Sequence, residues 1–275
     1  METLERDGAR LTLYRDGPDW DGPTMTVGKL KFASPDEGAD ILLDVVSLAK
    51  AGGAKAVVGP MEGDTWHSYR LVTESDGRPP FLMEPTSGPH DRAAFEAAGF
   101  EQIGGYFSAA VPLDMVSSAA PENDALEIQA WDGNDPDALF AQVHALSCTA
   151  FAGNPFYKPI EMDAFLAMYL PFVPMMKREL ILFARDVSGT LQGFLFGMPN
   201  YADGPDTDTV ILKTYASLQK GAGYLLSSRF YQAARDLGYK TAIHALMHED
   251  NLSALRSATN GAEVFRRYGL MGRRL

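Results

Sequence analysis

The residues with the most chemical potential meet at one junction. In "TVILKTYASLQKGAGYLLSSRF" (Thr209 to Phe230), a β-branched apolar run reaches Lys220, Gly221, Ala222 and Gly223, and an amphipathic run follows at once. A strand entering a helix through glycines presents the unpaired N–H groups of the helix start, and glycine lets a ligand approach the backbone with no Cβ in the way. A helix N-terminus carries partial positive charge, so the joint suits a phosphate or pyrophosphate, with Lys220 as a cation beside it. The same glycines would also serve a tight turn and nothing more. Proton-transfer candidates nearby in sequence are Asp208, His244, His248 and Glu249, with Glu161 further off. His244 and His248 are four apart, a metal-binding spacing on a helix. However, "KTAIHALM" alternates like a strand, no Glu follows the first His and no third ligand is evident, so no metal is expected. His244, between Ile243 and Ala245, fits a structural strand residue as well as a base. Cys148, in "HALSCTAF", reads as a packing residue.

The elements that must position these groups follow from hydrophobic period and breakers. "LEIQAWD" reads as a strand. "DPDALFAQVHALSCTAF" and "IEMDAFLAMYLPFVPMMKR" read as helical, the second broken or kinked by Pro171 and Pro174. "LILFARDV" and "LQGFLFGM" form a hairpin about Ser188-Gly189. The strand "DTVILKTYAS", the glycine joint and a helix closed by Gly238 come next. The strand "KTAIHALM", the helix "NLSALRSAT" and a strand near "AEVFRRYGLM" complete the order. Hairpins mixed with strand–helix–strand units imply an α+β class with a mixed central sheet.

A small, polar, Pro-containing stretch, about Ser117 to Asp124, reads as a linker between an N-terminal part, 1–118, and a C-terminal part, 125–275. The two parts share an order of features. "TVGKLKFAS" (Thr26 to Ser34) matches "TVILKTYAS" (Thr209 to Ser217). Gly38-Ala39 stands where Gly221-Ala222 stands, and Leu42-Leu43 where Leu225-Leu226 stands. "KAVVGPM" matches "KTAIHALM", and Gly99, Glu101 and Tyr106 match Gly261, Glu263 and Tyr268. Matches in one order at similar separations argue for internal duplication.

With the C-terminal pieces on the page, the chain from Leu126 to Leu275 resembles the GCN5-related N-acetyltransferase (GNAT) family. There a strand contacts the pantetheine arm of acetyl-CoA, an Arg/Gln-x-x-Gly-x-Gly/Ala loop holds the pyrophosphate, and an Asn-x-x-Ala/Ser lies near the cofactor. The pieces here are "LKTYAS", "LQKGAG" and "NLSA". The resemblance implies two GNAT-like domains, each a twisted mixed sheet flanked by helices. It implies acetyl-CoA as co-substrate, held by Thr214, Tyr215, Ala216, Gln219, Lys220, Gly221, Ala222, Gly223, Tyr224, Asn251 and Ser253. Direct acetyl transfer to an amine would follow, with His244, Asp208 and Tyr224 as the catalytic candidates. The loop departs from the family where Leu218 stands at the Arg/Gln position and Gln219 comes one place late. The family's tyrosine acid, seven residues after the asparagine, is here Ala258, so Tyr224, Tyr215 or Tyr268 would have to serve. Binding without catalysis, as an acyl-CoA sensor or scaffold, is the competing expectation, and a purely structural pair in which neither half binds coenzyme A is the third.

The N-terminal copy, "SPDEGADILL", places Asp36 and Glu37 where Gln219 and Lys220 stand, and Asp40 in place of Gly223. Three carboxylates would repel a pyrophosphate, so this half is expected to be degenerate. Trp66, His67, Tyr69 and Arg70 of "GDTWHSYRLV" could line a substrate pocket between the halves, or belong to a helix packed on the sheet. Met162, Met168, Met175 and Met176, with Phe165, Tyr169 and Phe172, make an apolar region that favours a small-molecule amine over a protein tail. At helical spacing it reads equally as core.

With 24 basic and 36 acidic residues, the net charge of −12 disfavours broad binding to nucleic acid or anionic membrane. The N-terminus lacks a basic start followed by an apolar stretch, no apolar run is long enough to span a bilayer, and one cysteine excludes an internal disulfide framework. The expectation is a cytoplasmic protein whose partner is a small amine, with a homodimer as an admissible assembly.

Overall fold

Alternating apolar residues build the first strands. The computed structural model describes residues 1–117 and 123–275, so most of the expected linker, 118–122, lies outside the described residues. In chain order the first elements are β1 (Glu2–Arg6), β2 (Ala9–Tyr14), β3 (Thr24–Phe32), α1 (Pro35–Ala51), β4 (Ala56–Gly59), β5 (Leu71–Ser75), α2 (Asp91–Ala97) and β6 (Glu101–Pro112). They are followed by β7 (Leu126–Ala130), α3 (Pro136–Phe151), α4 (Met162–Tyr169), β8 (Ile181–Asp186), β9 (Leu191–Pro199), β10 (Thr209–Ser217), α5 (Ala222–Asp236), β11 (Thr241–His248), α6 (Leu252–Thr259) and β12 (Glu263–Arg274). The mixed α and β order agrees with the sequence. Pro171 and Pro174 convert the end of the second expected helix into a 3-10 turn over Leu170–Met175.

The chain forms two compact units. The first comprises Met1–Phe107, Asn154–Lys158 and Arg266–Leu275, and the second comprises Ser108–Gly153 and Pro159–Phe265. They are therefore not the continuous stretches 1–118 and 125–275, because from Arg266 onward β12 pairs with β5 and β4 of the first unit.

In the first unit β1, β2 and β3 pair antiparallel in sequence, β3 and β4 pair in parallel, and β4 and β5 lie antiparallel on β12. The α1 face carrying Ile41, Leu42, Val45 and Ala49 closes the core over Leu11, Leu13 and Val27. The segment 61–70 is not a helix. It is a bent stretch closed by a bridge between Met61 and Tyr69, within which Trp66 Nε1 donates to Lys158 O at 2.8 Å. The Arg70 guanidinium lies 3.8 Å from the Tyr69 ring centroid and 4.0 Å from that of Tyr106. In the second unit β7, β8, β9 and β10 pair antiparallel in sequence, and β10 and β11 pair in parallel. There α5 packs Leu226, Phe230 and Ala234 on Leu182, Leu195, Val210 and Leu212.

The duplication is visible in the pairing itself. Thr24 faces Ala56 in the β3–β4 pair and Thr209 faces Thr241 in the β10–β11 pair, so the same length of chain separates the partners in both units. Both leading strands also carry a bulge, between Gly28 and Lys31 in β3 and between Leu212 and Thr214 in β10.

β12 is fixed to the first unit by a buried ionic cluster. Glu84 accepts from Arg266 Nη1 at 2.7 Å, from the Phe81 N–H at 2.9 Å and from the Tyr268 hydroxyl. The side chains of Arg266 and Glu84 are 5% and 0% exposed. Removing one partner of a buried pair strands the other charge. Glu84→Ala is expected to cost about 3–5 kcal/mol in urea unfolding; an unchanged midpoint would contradict a structural role for the cluster.

Candidate functional site

β10 is the spine of the site. Val210, Ile211 and Leu212 are buried, and the parallel pairing with β11 runs from Thr209 opposite Thr241 to Leu212 opposite His244, where it stops. On its other edge β10 follows β9 as far as Ser217 opposite Gly193, with Lys213 inserted as an extra residue. A bulge bends a strand and increases its twist, so β10 diverges from β11 beyond Lys213. β11 turns as well: Leu246 has a φ of 56°, and its N–H donates to Ser108 Oγ at 3.0 Å. The edge of Thr214, Tyr215 and Ala216 that would face β11 is left without a strand partner among the described residues.

The joint follows directly. Gly221 caps α5 with φ 93° and ψ −27°, a left-handed conformation that favours glycine, and no side chain caps the helix. The Ala222 N–H donates to Gln219 O, and those of Tyr224 and Leu225 donate to Gly221 O, whereas the N–H groups of Gly221 and Gly223 have no acceptor among the described residues. The first turn of α5 contains no acidic residue. A Cβ on Gly223 would stand 3.0 Å from Arg256 Nη1, 3.2 Å from the Tyr215 ring and 3.5 Å from Ser217 Oγ. A side chain here would press on Arg256 and Tyr215, each of which would have to give by a few tenths of an ångström.

The matching joint of the first unit is filled. Ser34 Oγ accepts from the Glu37 N–H at 3.2 Å and donates to the Glu37 carboxylate at 2.9 Å, so this helix start has its own side-chain cap and a carboxylate held over it. A Cβ on Gly38 would meet Ala94 Cβ at 2.6 Å and the Phe32 ring at 2.8 Å, so this glycine serves packing. Asp40 and Asp44 hold Arg6 at 3.6 and 2.8 Å. Where β3 leaves β4, the chain closes the gap itself, since the Met61 N–H donates to Val27 O at 2.6 Å.

The remaining candidates fall in several places. Tyr215 and Arg256 converge beside Gly223, and Ser253 lies on the same side of the Tyr215 phenol. Burial pushes the phenol's pKa up and the Arg256 guanidinium works against that rise. Tyr224 is exposed at the start of α5, with its ring centroid 6.0 Å from Arg256 Cζ. Thr214 and Gln219 are half-buried, Ala216 and Ala222 are buried and Lys220 is exposed. Asn251 caps α6 without a side-chain hydrogen bond, and Ala258 is exposed. Asp208 precedes the opposite end of β10, roughly 30 Å from Ser217 at about 3.3 Å per strand residue. Its carboxylate faces Lys240 Nζ at 3.4 Å, so Asp208 is not brought to the joint. Tyr268, bound to Glu84, belongs to the first unit.

His244 is 4% exposed, and both ring nitrogens are engaged: Nε2 with the Tyr231 hydroxyl at 2.8 Å and Nδ1 with Ser257 Oγ at 2.7 Å. Burial pulls its pKa down to about 4, so the ring is neutral at pH 7 and joins β11 to α5 and α6. A group so placed has no nitrogen left for a substrate proton. Burial also raises the Tyr231 phenol. Sequence reasoning passed over Arg256. Its one signal was position, three residues after Ser253, which puts both on one face of α6. Among the described residues no group of acidic, His and Cys side chains could hold a metal, and no helix is long and apolar enough to cross a membrane.

No family model matches the chain, and no curated protein matches it. Solved structures do share its fold. A GCN5-related N-acetyltransferase from Sphaerobacter thermophilus aligns with a TM-score of 0.58 at 13% identity, over 97% of this chain and 76% of that one. A tandem GNAT protein from the clavulanic acid biosynthesis pathway aligns at 0.54 and 16% identity, over 97% and 78% of the two chains. A GCN5-related N-acetyltransferase from Anabaena variabilis gives 0.57 and 12% identity, over 96% of this chain and 59% of that one. The chain thus has the GNAT fold over nearly its whole length, and the tandem match accords with its two units.

The buried neutral histidine has a consequence for pH. Its folded pKa, about 4, lies below the ordinary 6.5, so the unfolded chain binds the extra proton first as pH falls. The stability it confers is present above about pH 6.5 and is lost progressively toward pH 4. About 2 kcal/mol is expected to disappear between pH 7 and pH 5. Urea unfolding of wild type and His244→Gln over that range checks this: the variant should lack that part of the slope, and identical slopes would contradict it.

Proposed function

We propose that the protein is an acyltransferase that binds acetyl-CoA at the α5 joint of the second unit and passes the acetyl group directly to an amine. The observation that carries this reading is the contrast between two copies of one joint. The copy in the second unit is uncapped, free of carboxylates and set at the end of a strand that has left its partner. The copy in the first unit is closed by its own Ser34 and Glu37. Acetyl-CoA offers what the open copy lacks: diphosphate oxygens for the N–H groups of Gly221 and Gly223, and pantetheine amides for the free edge of Thr214–Ala216. The GNAT fold of the structural neighbours supports the same assignment.

Direct transfer requires a deprotonated amine near the acetyl carbonyl and a proton for the departing thiolate. With His244 enclosed and Asp208 at the far end of β10, the half-buried His248 of β11 is the base candidate that stays on the diverging strand. Tyr215 and Tyr224 are the hydroxyls at the joint, and we favour Tyr215 as the proton donor because it lies against Gly223 beside Arg256, whose guanidinium works against the rise that burial imposes on the phenol. The apolar α4 region, with Phe165 buried against Tyr169 and Tyr169 stacked on Phe140, favours a small-molecule amine as acceptor. A cytoplasmic setting, no nucleic-acid or membrane partner, and a homodimer complete the proposal.

A second reading is favoured by one observation. Ala258 is exposed on α6 where the resemblance calls for a tyrosine acid, so the site could bind an acyl-CoA without turning it over.

Calorimetric titration with acetyl-CoA is expected to give about one site per chain, abolished in Gly221→Glu/Gly223→Glu. Thiol release with a panel of small amines then separates transferase from binder, and a folded wild type that binds nothing would contradict both readings. Asp36→Lys/Glu37→Lys/Asp40→Lys should not create a second site, because the Ser34 cap site and the Met61–Val27 closure obstruct that joint by geometry as well as charge. A gain of binding there would show that charge alone had closed it.

A further inference from the structure

β1, with the sequence Glu2-Thr3-Leu4-Glu5-Arg6, is one end of the strand order, and its outer edge has no strand partner among the described residues. Asp7 and Gly8 join it to β2. Their φ values of 31° and 83° make a two-residue hairpin turn, across which Arg6 faces Ala9. In such a hairpin the pair flanking the loop is hydrogen-bonded, and hydrogen-bonded pairs then alternate with open ones. Arg6, Leu4 and Glu2 thus direct their backbone groups to β2, opposite Ala9, Leu11 and Leu13. The N–H and C=O groups of Thr3 and Glu5 point outward.

Charge ordinarily guards an exposed edge, because like charges keep a second strand away. The charges of β1 do the reverse, since they change sign about Leu4. With Leu4 opposite itself in a second, antiparallel copy, Glu2 meets Arg6 of the partner subunit, and the two-fold repeats that pair. The same register sets Thr3 opposite Glu5 of the partner subunit, so all the outward-pointing backbone groups fall in hydrogen-bonded pairs. Glu5 brings no uncompensated charge, because Arg10 Nε lies 3.2 Å from its carboxylate. The side chains of Glu2 and Arg6 are 46% and 45% exposed. Each also touches an opposite charge of its own chain, Arg15 at 2.6 Å and Asp44 at 2.8 Å, so the new pairs would extend existing networks. Leu4 supplies an apolar centre. Beside it a groove of about 360 Å³ runs between β1 and α1, lined by Leu4, Ile41 and Leu48.

We infer that the β1 edge is the surface through which this protein binds a second copy of itself: the two sheets join antiparallel through β1, with the two-fold axis at Leu4. The pairing does not depend on the acyl-CoA reading of the second unit.

The test is the mass in solution, by sedimentation equilibrium, of wild type, Thr3→Pro and Leu4→Lys. Wild type is expected at the mass of two chains. Thr3→Pro removes an outward N–H and leaves the bonds between β1 and β2 in place, so it should be found at the mass of one chain. Leu4→Lys sets like charges opposite each other at the axis and should do the same. Thermal melting establishes that the variants are folded, and Leu4→Lys decides if Thr3→Pro is not. Cross-linking reads the register in a Cys148→Ser background. Leu4→Cys should form a disulfide between chains under mild oxidation, because an open antiparallel pair brings Cα atoms to about 4.5 Å. Glu5→Cys, which faces Thr3 of the partner subunit, should not. A wild type of one chain's mass at every concentration would overturn the inference. So would a two-chain mass kept by a folded variant, or cross-linking of Glu5→Cys in preference to Leu4→Cys.

Discussion

The second unit is organised around the point where β10 and β11 part. His244 faces Leu212 at the last paired position, and its two ring nitrogens are taken by Tyr231 of α5 and Ser257 of α6. One neutral, buried imidazole therefore fixes three elements to the place where the sheet opens. Burying such a group is costly unless both nitrogens are satisfied; with both hydroxyls present, the same burial makes the clasp specific. Beyond it, the bulge at Lys213 carries β10 away, and the backbone of Thr214–Ala216 and the Gly221 joint are left to face something other than β11.

The first unit shows what the same frame does when it is closed. Its strand–helix–strand has the same pairing separation and a bulge of its own. Yet Ser34 caps the helix start and holds the Glu37 carboxylate over it, Gly38 is packed against Ala94 and Phe32, and Met61 pairs with Val27 where the strands would part. The two joints differ in a few local hydrogen bonds more than in the fold.

Local signals were the legible ones. The glycine joint, the hairpin about Ser188-Gly189, the closure of α5 at Gly238 (φ 88°) and the internal repeat are all set by neighbours in sequence. The segment containing Trp66 was open to a helical reading, but its conformation is set by long-range contacts such as Trp66 to Lys158. Arg256 was illegible because its meaning depends on α6 crossing the start of α5, a contact that no spacing along the chain reveals. His244 was read as both a base and a strand residue, because the residues that enclose it, Tyr231 and Ser257, lie on helices before and after its strand. The exchange of β12 into the first unit was hidden for the same reason: the strand itself was evident, its partners were not.

The central claim is that one joint of the duplicated pair holds an acyl donor by its backbone and the other does not. Amide hydrogen exchange read residue by residue, with and without coenzyme A, tests this at the groups concerned. The account predicts slowed exchange at Gly221, Gly223 and the Thr214–Ala216 edge, with Glu37–Asp40 unchanged. Protection confined to the first unit, or none at Gly221 and Gly223 under saturating ligand, would contradict it.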